Sequence, residues 1–349
     1  MEKNVLELTR KRFGNSTGLK LFEDLVFFIA SKAGCISHAV PNYVPMIEKG
    51  LIGLVKFASE KEKECLTSGN KEAMAKAEFY QAVQIALNGI LEYACHLAEK
   101  AELLASITAD ADQKKELEEM AACCRRVPVH PAISFREAVN AVWISQVGIH
   151  AENINMAMSP GRLDQLLYPY YRRDIEAGRL TVEQALEILG CLWFKLSDNV
   201  IMVPEASEEM FGGAGTAPAL TLGGVDSNGE DAVNDLTYIM LKVTELLRIR
   251  DPNVTARYYY GKNPQEYINR VSEVILNTKA VPALYNDAVN IEALIGQGES
   301  LEHARDYAVV GCVELASNGR DYPASSSIML NLASSLEMAL FCGKRPITG

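Results

Sequence analysis

The sequence predicts an α/β fold, helix-rich over about residues 1–200 and alternating between strand and helix over about 201–349. Two observations carry that reading. In the first part, apolar residues return every three or four positions over long stretches, as they do on the buried stripe of a helix. In the second part, short apolar runs alternate with capped amphipathic segments, an order that puts parallel strands side by side with helical crossovers. No internal repeat, low-complexity tract or interdomain linker divides the 349 residues.

Within residues 1–33, Leu21, Leu25, Phe28 and Ile29 predict one helical face. Gly34 breaks it, Pro41 and Pro45 keep the chain irregular, and His38 falls in that break. Helices follow over 46–66 and 71–106, the second carrying Phe79, Val83, Ile90, Leu91 and Leu97 at helical intervals. A third, about 112–124, is closed by Pro128 and Pro131, because the residue before proline avoids the helical region. Ser134 with Glu137 reads as a capping box opening a helix towards His150, and Thr181 with Gln184 as another. Between them Arg162 and Asp164 are expected to pair and shape their loop. Gly212–Gly215 lacks the Lys-Ser/Thr of a phosphate loop and reads as plain loop.

The second part begins with a strand at about 218–224 and a turn at Asp226–Gly229. A helix at 231–249 leads to a strand at 254–259. Asn263-Pro264 is expected to cap the next helix, with Glu266 in the capping-box position. A strand at 280–285 and a helix started by Ser300 complete the order.

Hydrophobic content of 48% with 23% charged residues supports a large core. A formal charge of −11 argues against nucleic acid and acidic membrane surfaces as partners, since both reward basic patches. Apolar runs such as Leu25–Ala30 are too short to span a bilayer, and Met1-Glu-Lys-Asn leads into no signal-peptide core. A cytoplasmic protein is the expectation. The eight cysteines include no Cys-x-x-Cys, which suits a reduced compartment and suggests neither zinc nor an iron–sulfur cluster.

Chemistry gathers at Arg305-Asp-Tyr-Ala-Val-Val-Gly-Cys-Val-Glu314. If extended, this segment puts Cys312 and Glu314 on one face, about 6–7 Å apart at Cα. Gly311 lets the backbone bend just before the thiol. Spacing alone fits a buried strand with a small thiol and a rim carboxylate better than it fits a site. A hydrolase with Cys312 as nucleophile would need a nearby base, and His303 sits in the preceding helix. The adjacent pair Cys123-Cys124 stands at a helix end, away from these neighbours.

The segment nonetheless resembles the active-site cysteine loop of the glycyl radical enzymes, the pyruvate formate-lyase-like superfamily, whose eliminases and decarboxylases carry Gly-Cys-Val-Glu. The resemblance extends to Asp251–Arg257, Val281–Asp287, Ala304–Tyr307, Ser159–Gln165, Tyr168–Tyr171, and His38 with Gly50-Leu51. It implies a ten-stranded α/β barrel wrapped in helices, of which this chain holds about half the strands, truncated at both ends. The Arg-Val-x-Gly-Tyr/Phe segment that bears the radical glycine is absent from the 349 residues. The implied chemistry is a radical lyase, dehydratase or decarboxylase of anaerobic metabolism acting on a small polar molecule. Cys312 would be the thiyl carrier and Glu314 the base, with His38, Ser159 and Ser326 against the substrate. No cofactor is expected on the chain itself. A partner activating enzyme, using S-adenosylmethionine and an iron–sulfur cluster, would install the radical, and the complete protein would be a homodimer. Val313 in place of a second cysteine argues against a formate acetyltransferase, and Ser326 in place of Asp against a diol dehydratase. The other implied readings are a formate acetyltransferase-like protein and a non-catalytic remnant or subunit of a split enzyme.

Overall fold

The structure is a computed structural model that describes residues 11, 27–29, 38–68, 70–152, 157–199, 216–322 and 328–344. Three helices lead: α1 (Val44–Ser68), α2 (Lys71–Ile107) and α3 (Ala111–Arg126). Alanines at 73, 77, 94, 98, 101 and 105 form the buried side of α2, which packs along both neighbours. Small side chains let the helix axes come close. Gly50 interrupts α1 with φ 68°, because the backbone of Val129 and His130 crosses where a side chain would stand. The crossing is fixed by Leu51 N to Pro128 O at 2.8 Å and Ala132 N to Ile47 O at 3.0 Å.

Next come α4 (Phe135–Glu152), α5 (Leu163–Leu166), α6 (Tyr168–Glu176) and α7 (Val182–Asp198). The Thr181–Gln184 capping box forms in full. At α4 only half forms. Ser134 Oγ accepts from Glu137 N at 3.2 Å, while the Glu137 carboxylate turns to Ile133 N and Arg126. Trp193, Phe135, Leu163, Leu167, Leu189 and Leu196 fill the core beneath one face of the sheet.

The sheet is β2 (Ala219–Gly223), β3 (Asn253–Tyr258) and β4 (Ala283–Asn286), all parallel, as the alternation predicts. The crossovers are α8 (Asp235–Leu247) and α9 (Gln265–Thr278), followed after β4 by α10 (Asp287–Gly296) and α11 (Leu301–Arg305). β4 starts later than expected because Thr278 Oγ1 accepts from Ala280 N and Val281 N and holds the chain in a turn. Leu220, Leu222, Val254 and Ala256 point to the helical core. The opposite face presents Thr221, Thr255 and Arg257, all buried.

A hairpin, β5 (Tyr307–Val310) and β6 (Glu314–Ser317), lies against that second face. A last pair joins β1 (Phe27–Ile29) to β7 (Ile328–Leu330), antiparallel, before α12 (Leu332–Leu340). This corrects the helical reading of Phe28 and Ile29. The run Val26–Ile29 is rich in β-branched and aromatic residues, and a strand partner overrides the helical spacing. Apart from Lys11, the rest of residues 1–33 lies outside the described residues, as do Gly212–Gly215 and Ser326. No helix among the described residues is long and apolar enough to cross a membrane.

Two local expectations also change. Asn263 does not cap α9, whose N-cap is Pro264. Its side chain accepts from Tyr259 N and donates to Gly224 O and Asp231, tying two loops together. Arg162 pairs with Asp306 at 2.8 Å, and Asp164 instead accepts from Gly223 N and Thr237 Oγ1. The long-range partners serve both Nη atoms of Arg162 and Oδ2 of Asp164, while Arg162 Nε and Asp164 Oδ1 stay buried without a partner among the described residues.

Candidate active site

The hairpin is held at successive levels along β5. Arg162 grips Asp306 just before the strand. One residue on, Arg257, fully buried, donates to the carbonyls of Arg305 at 2.7 Å and Tyr307 at 2.8 Å. It also makes a two-pronged pair with Asp287, at 2.9 and 2.8 Å, and its guanidinium lies 3.9 Å from the Tyr307 ring centre. Tyr307 OH donates to Asp287 Oδ1 at 2.7 Å, closing the network. Higher up, Val309 N donates to Thr221 Oγ1 at 2.8 Å. At the top, Ser159 Oγ accepts from Gly311 N at 3.3 Å and Ala219 N at 2.9 Å. Ser159 is fully buried, so the structure shows it positioning this loop.

Cys312 then sits at the tip, in the turn Gly311–Val313, rather than on a continuous strand. Gly311 has φ 58° and the chain reverses there, so the shared-face geometry expected for Cys312 and Glu314 does not apply. Asn253 Nδ2 reaches Cys312 O at 3.4 Å and steadies the turn. Glu314 opens β6, with Oε2 accepting from Val313 N at 3.0 Å. Its Oε1 stands 3.8 Å from His38 Nε2. A side chain on Gly311 would run into the His38 ring, so only glycine lets these three come together. The structure therefore gathers Cys312, Glu314 and His38, three residues from the two ends of the described chain.

Burial lowers the His38 pKa, and the Glu314 carboxylate opposes that only in part, so the imidazole is neutral at pH 7. Cys312 is exposed as a residue, yet its thiol is partly desolvated. That desolvation raises its pKa, and the Glu314 charge adds to the rise. At pH 7 the sulfur keeps its hydrogen. A nucleophilic cysteine needs the opposite shift, and His303 pairs with Glu299 at 3.7 Å instead. Alkylation of Cys312 is expected to be slow at pH 7 and to keep accelerating past pH 9. Rapid labelling at pH 6, followed by mass spectrometry of the peptide, would contradict the raised pKa. Cys123 and Cys124 are buried, and burial pushes Cys123 up to about 12, so this pair takes no part.

Sequence reasoning missed Tyr285 and Asn253. The Tyr285 phenol is raised by burial and then by Glu314 and Cys312, which sets it in electrostatic reach of both. Both residues lie in segments that carried the resemblance, but neither type announces chemistry by itself. Among the described residues no cluster of His, Cys, Asp or Glu could hold a metal ion.

A family model described as "Pyruvate formate lyase-like" matches residues 3–349. The isethionate sulfite-lyase of Oleidesulfovibrio alaskensis is 35% identical over 307 residues, 87% of this chain and 37% of that protein. A glycyl radical enzyme from Archaeoglobus fulgidus superposes with a TM-score of 0.87 at 34% identity, covering 96% of this chain and 42% of the other. The glycerol-bound B12-independent glycerol dehydratase of Clostridium butyricum gives 0.89 at 31% identity, covering 98% and 43%. The chain thus spans about two fifths of the length of these relatives. With a match that runs nearly end to end and a fold shared with glycyl radical enzymes, the chain belongs to the pyruvate formate lyase-like family.

Proposed function

We propose that this chain supplies the thiol half of a glycyl radical lyase acting on a small polar organic molecule. The observation that carries the reading is the thiol of Cys312, kept protonated at a hairpin tip beside the Glu314–His38 pair. A hydrogen-atom carrier must hold hydrogen on sulfur before it can give it up, and a thiolate cannot. The glycyl radical, installed by an activating enzyme that uses S-adenosylmethionine and an iron–sulfur cluster, supplies the step that removes this hydrogen. Cys312 then takes hydrogen from a substrate carbon. Glu314 accepts the proton of a neighbouring hydroxyl or acidic group. Neutral His38 holds a polar substituent by a hydrogen bond, and the proton taken up by Glu314 passes to the departing group. The bond broken is C–O, C–N, C–S or C–C. Relatives named as a sulfite-lyase and a dehydratase support this class.

In this reading the sheet β2–β3–β4 and the hairpin belong to a ten-stranded barrel of which this chain provides about half. The helical region 1–200 wraps it, and a substrate contact by Ser326 is carried over from the family resemblance alone. The complete enzyme works in the cytoplasm as a homodimer. The test uses the complete protein, activated without oxygen. Cys312→Ser is expected to leave the glycyl radical visible by electron paramagnetic resonance and to give no product. Turnover by that variant would end the proposal.

A further inference from the structure

At the foot of the hairpin, opposite its tip, lies a cleft of about 170 Å³. Its walls include Asn42, Pro160, Arg162, Asp306, Asn318 and Arg320. The volume is close to that of an engineered cavity of ~150 Å³ that takes a benzene molecule. Two glycines in the left-handed region make the walls meet. Gly161 has φ 73° and lies against the Asn318 amide, while Gly319 has φ 67° and a side chain there would come 2.9 Å from Asn42 Cα.

The polar groups of the cleft are unevenly used. Arg162 is buried and gives its Nη atoms to Asp306, Gly223 and Val225, so it fixes the Asp306 wall without offering a free donor to the cleft. Arg320 is exposed and has no ion pair or side-chain hydrogen bond among the described residues. The side-chain Nδ2 groups of Asn42 and Asn318 make no hydrogen bond among the described residues, while Asn318 N donates to Asp306 O at 3.1 Å. The one acidic side chain among the cleft walls is Asp306, whose Oδ1 is taken by Arg162 and whose side chain is 29% exposed. A ligand that fits must therefore bring an anion for Arg320 and a donor for Asp306.

We propose that the cleft binds a small carboxylate with an adjacent hydroxyl or ammonium group. The carboxylate pairs with Arg320 and the Asn amides, and the adjacent donor serves Asp306 Oδ2. Asp306 leads into β5 and Asn318–Arg320 follow β6, so this ligand joins the two feet of the strand pair that carries Cys312. The site is separate from the Cys312 tip and does not depend on the reaction proposed there.

Ligand-observed NMR titration of the complete protein tests this with glycolate as the probe and acetate as the comparison. Saturable glycolate binding is expected, with acetate weaker by about tenfold or more, the loss of one charge-assisted hydrogen bond. Arg320→Ala, a surface change that leaves the fold intact, should weaken glycolate by at least about tenfold for the same reason. Glu314→Gln should leave glycolate binding unchanged. No saturable binding, equal binding of acetate, indifference to Arg320→Ala, or loss on Glu314→Gln would each overturn the assignment, the last by placing the probe at the hairpin tip.

Discussion

Glu314→Gln in the complete, activated protein is expected to leave glycyl radical formation intact and to cut turnover by about 10²–10⁴, the range lost when a positioned base is removed. Glutamine preserves size and can still accept from Val313 N, so the hairpin tip should keep its shape. What disappears is a carboxylate facing His38 Nε2 at 3.8 Å, the group able to receive a proton from substrate. The radical signal and product formation are measured on the same sample. Near-normal turnover would remove Glu314 from the mechanism. Loss of the radical signal itself would point to a folding role instead.

Arg257→Met should be the most damaging single change to stability, about 3–5 kcal/mol, because it strands Asp287 as an unpaired buried charge. Arg257 and Asp287 are both fully buried, and Arg257 additionally serves the carbonyls of Arg305 and Tyr307. The double variant Arg257→Met/Asp287→Leu is expected to recover much of that loss, since it leaves no lone charge behind. Denaturant unfolding of the three proteins checks both statements. A single variant as stable as the double would mean that Asp287 finds another partner or stays protonated.

The helices over 44–68 and 71–107 were legible from their helical spacing, although the second buries its alanines and leaves Phe79, part of the stripe read from the sequence, exposed. The parallel sheet was legible because short apolar runs separated by capped helices leave few other connections. The partner of Arg162 was not. It stands 144 residues away at Asp306, while Asp164 offered itself two residues on. Local spacing cannot tell a pair that forms from one that is outbid by a backbone N–H and a threonine hydroxyl. The Cys312 turn was half legible. Gly311 marked a bend, but the hairpin depends on Ala316 and Ser317 pairing back onto Tyr307 and Ala308, which no single residue signals. Cys312, Glu314 and His38 came from the family resemblance. Spacing alone favoured an ordinary buried strand at the first two, and a histidine in a proline-rich loop has no fixed meaning.

The buried grip on β5 has a consequence for ionic strength. Mobile ions screen charges across about 8 Å at physiological salt, but only where solvent reaches. The Arg257–Asp287 pair is closed to solvent, whereas pairs such as Arg172–Glu176 and Lys76–Glu72 lie open on helix surfaces. Molar salt should therefore loosen the outer helices and leave the height of Cys312 above the sheet unchanged. The placement of the hairpin tip over the sheet is thereby insulated from the ionic strength around the protein.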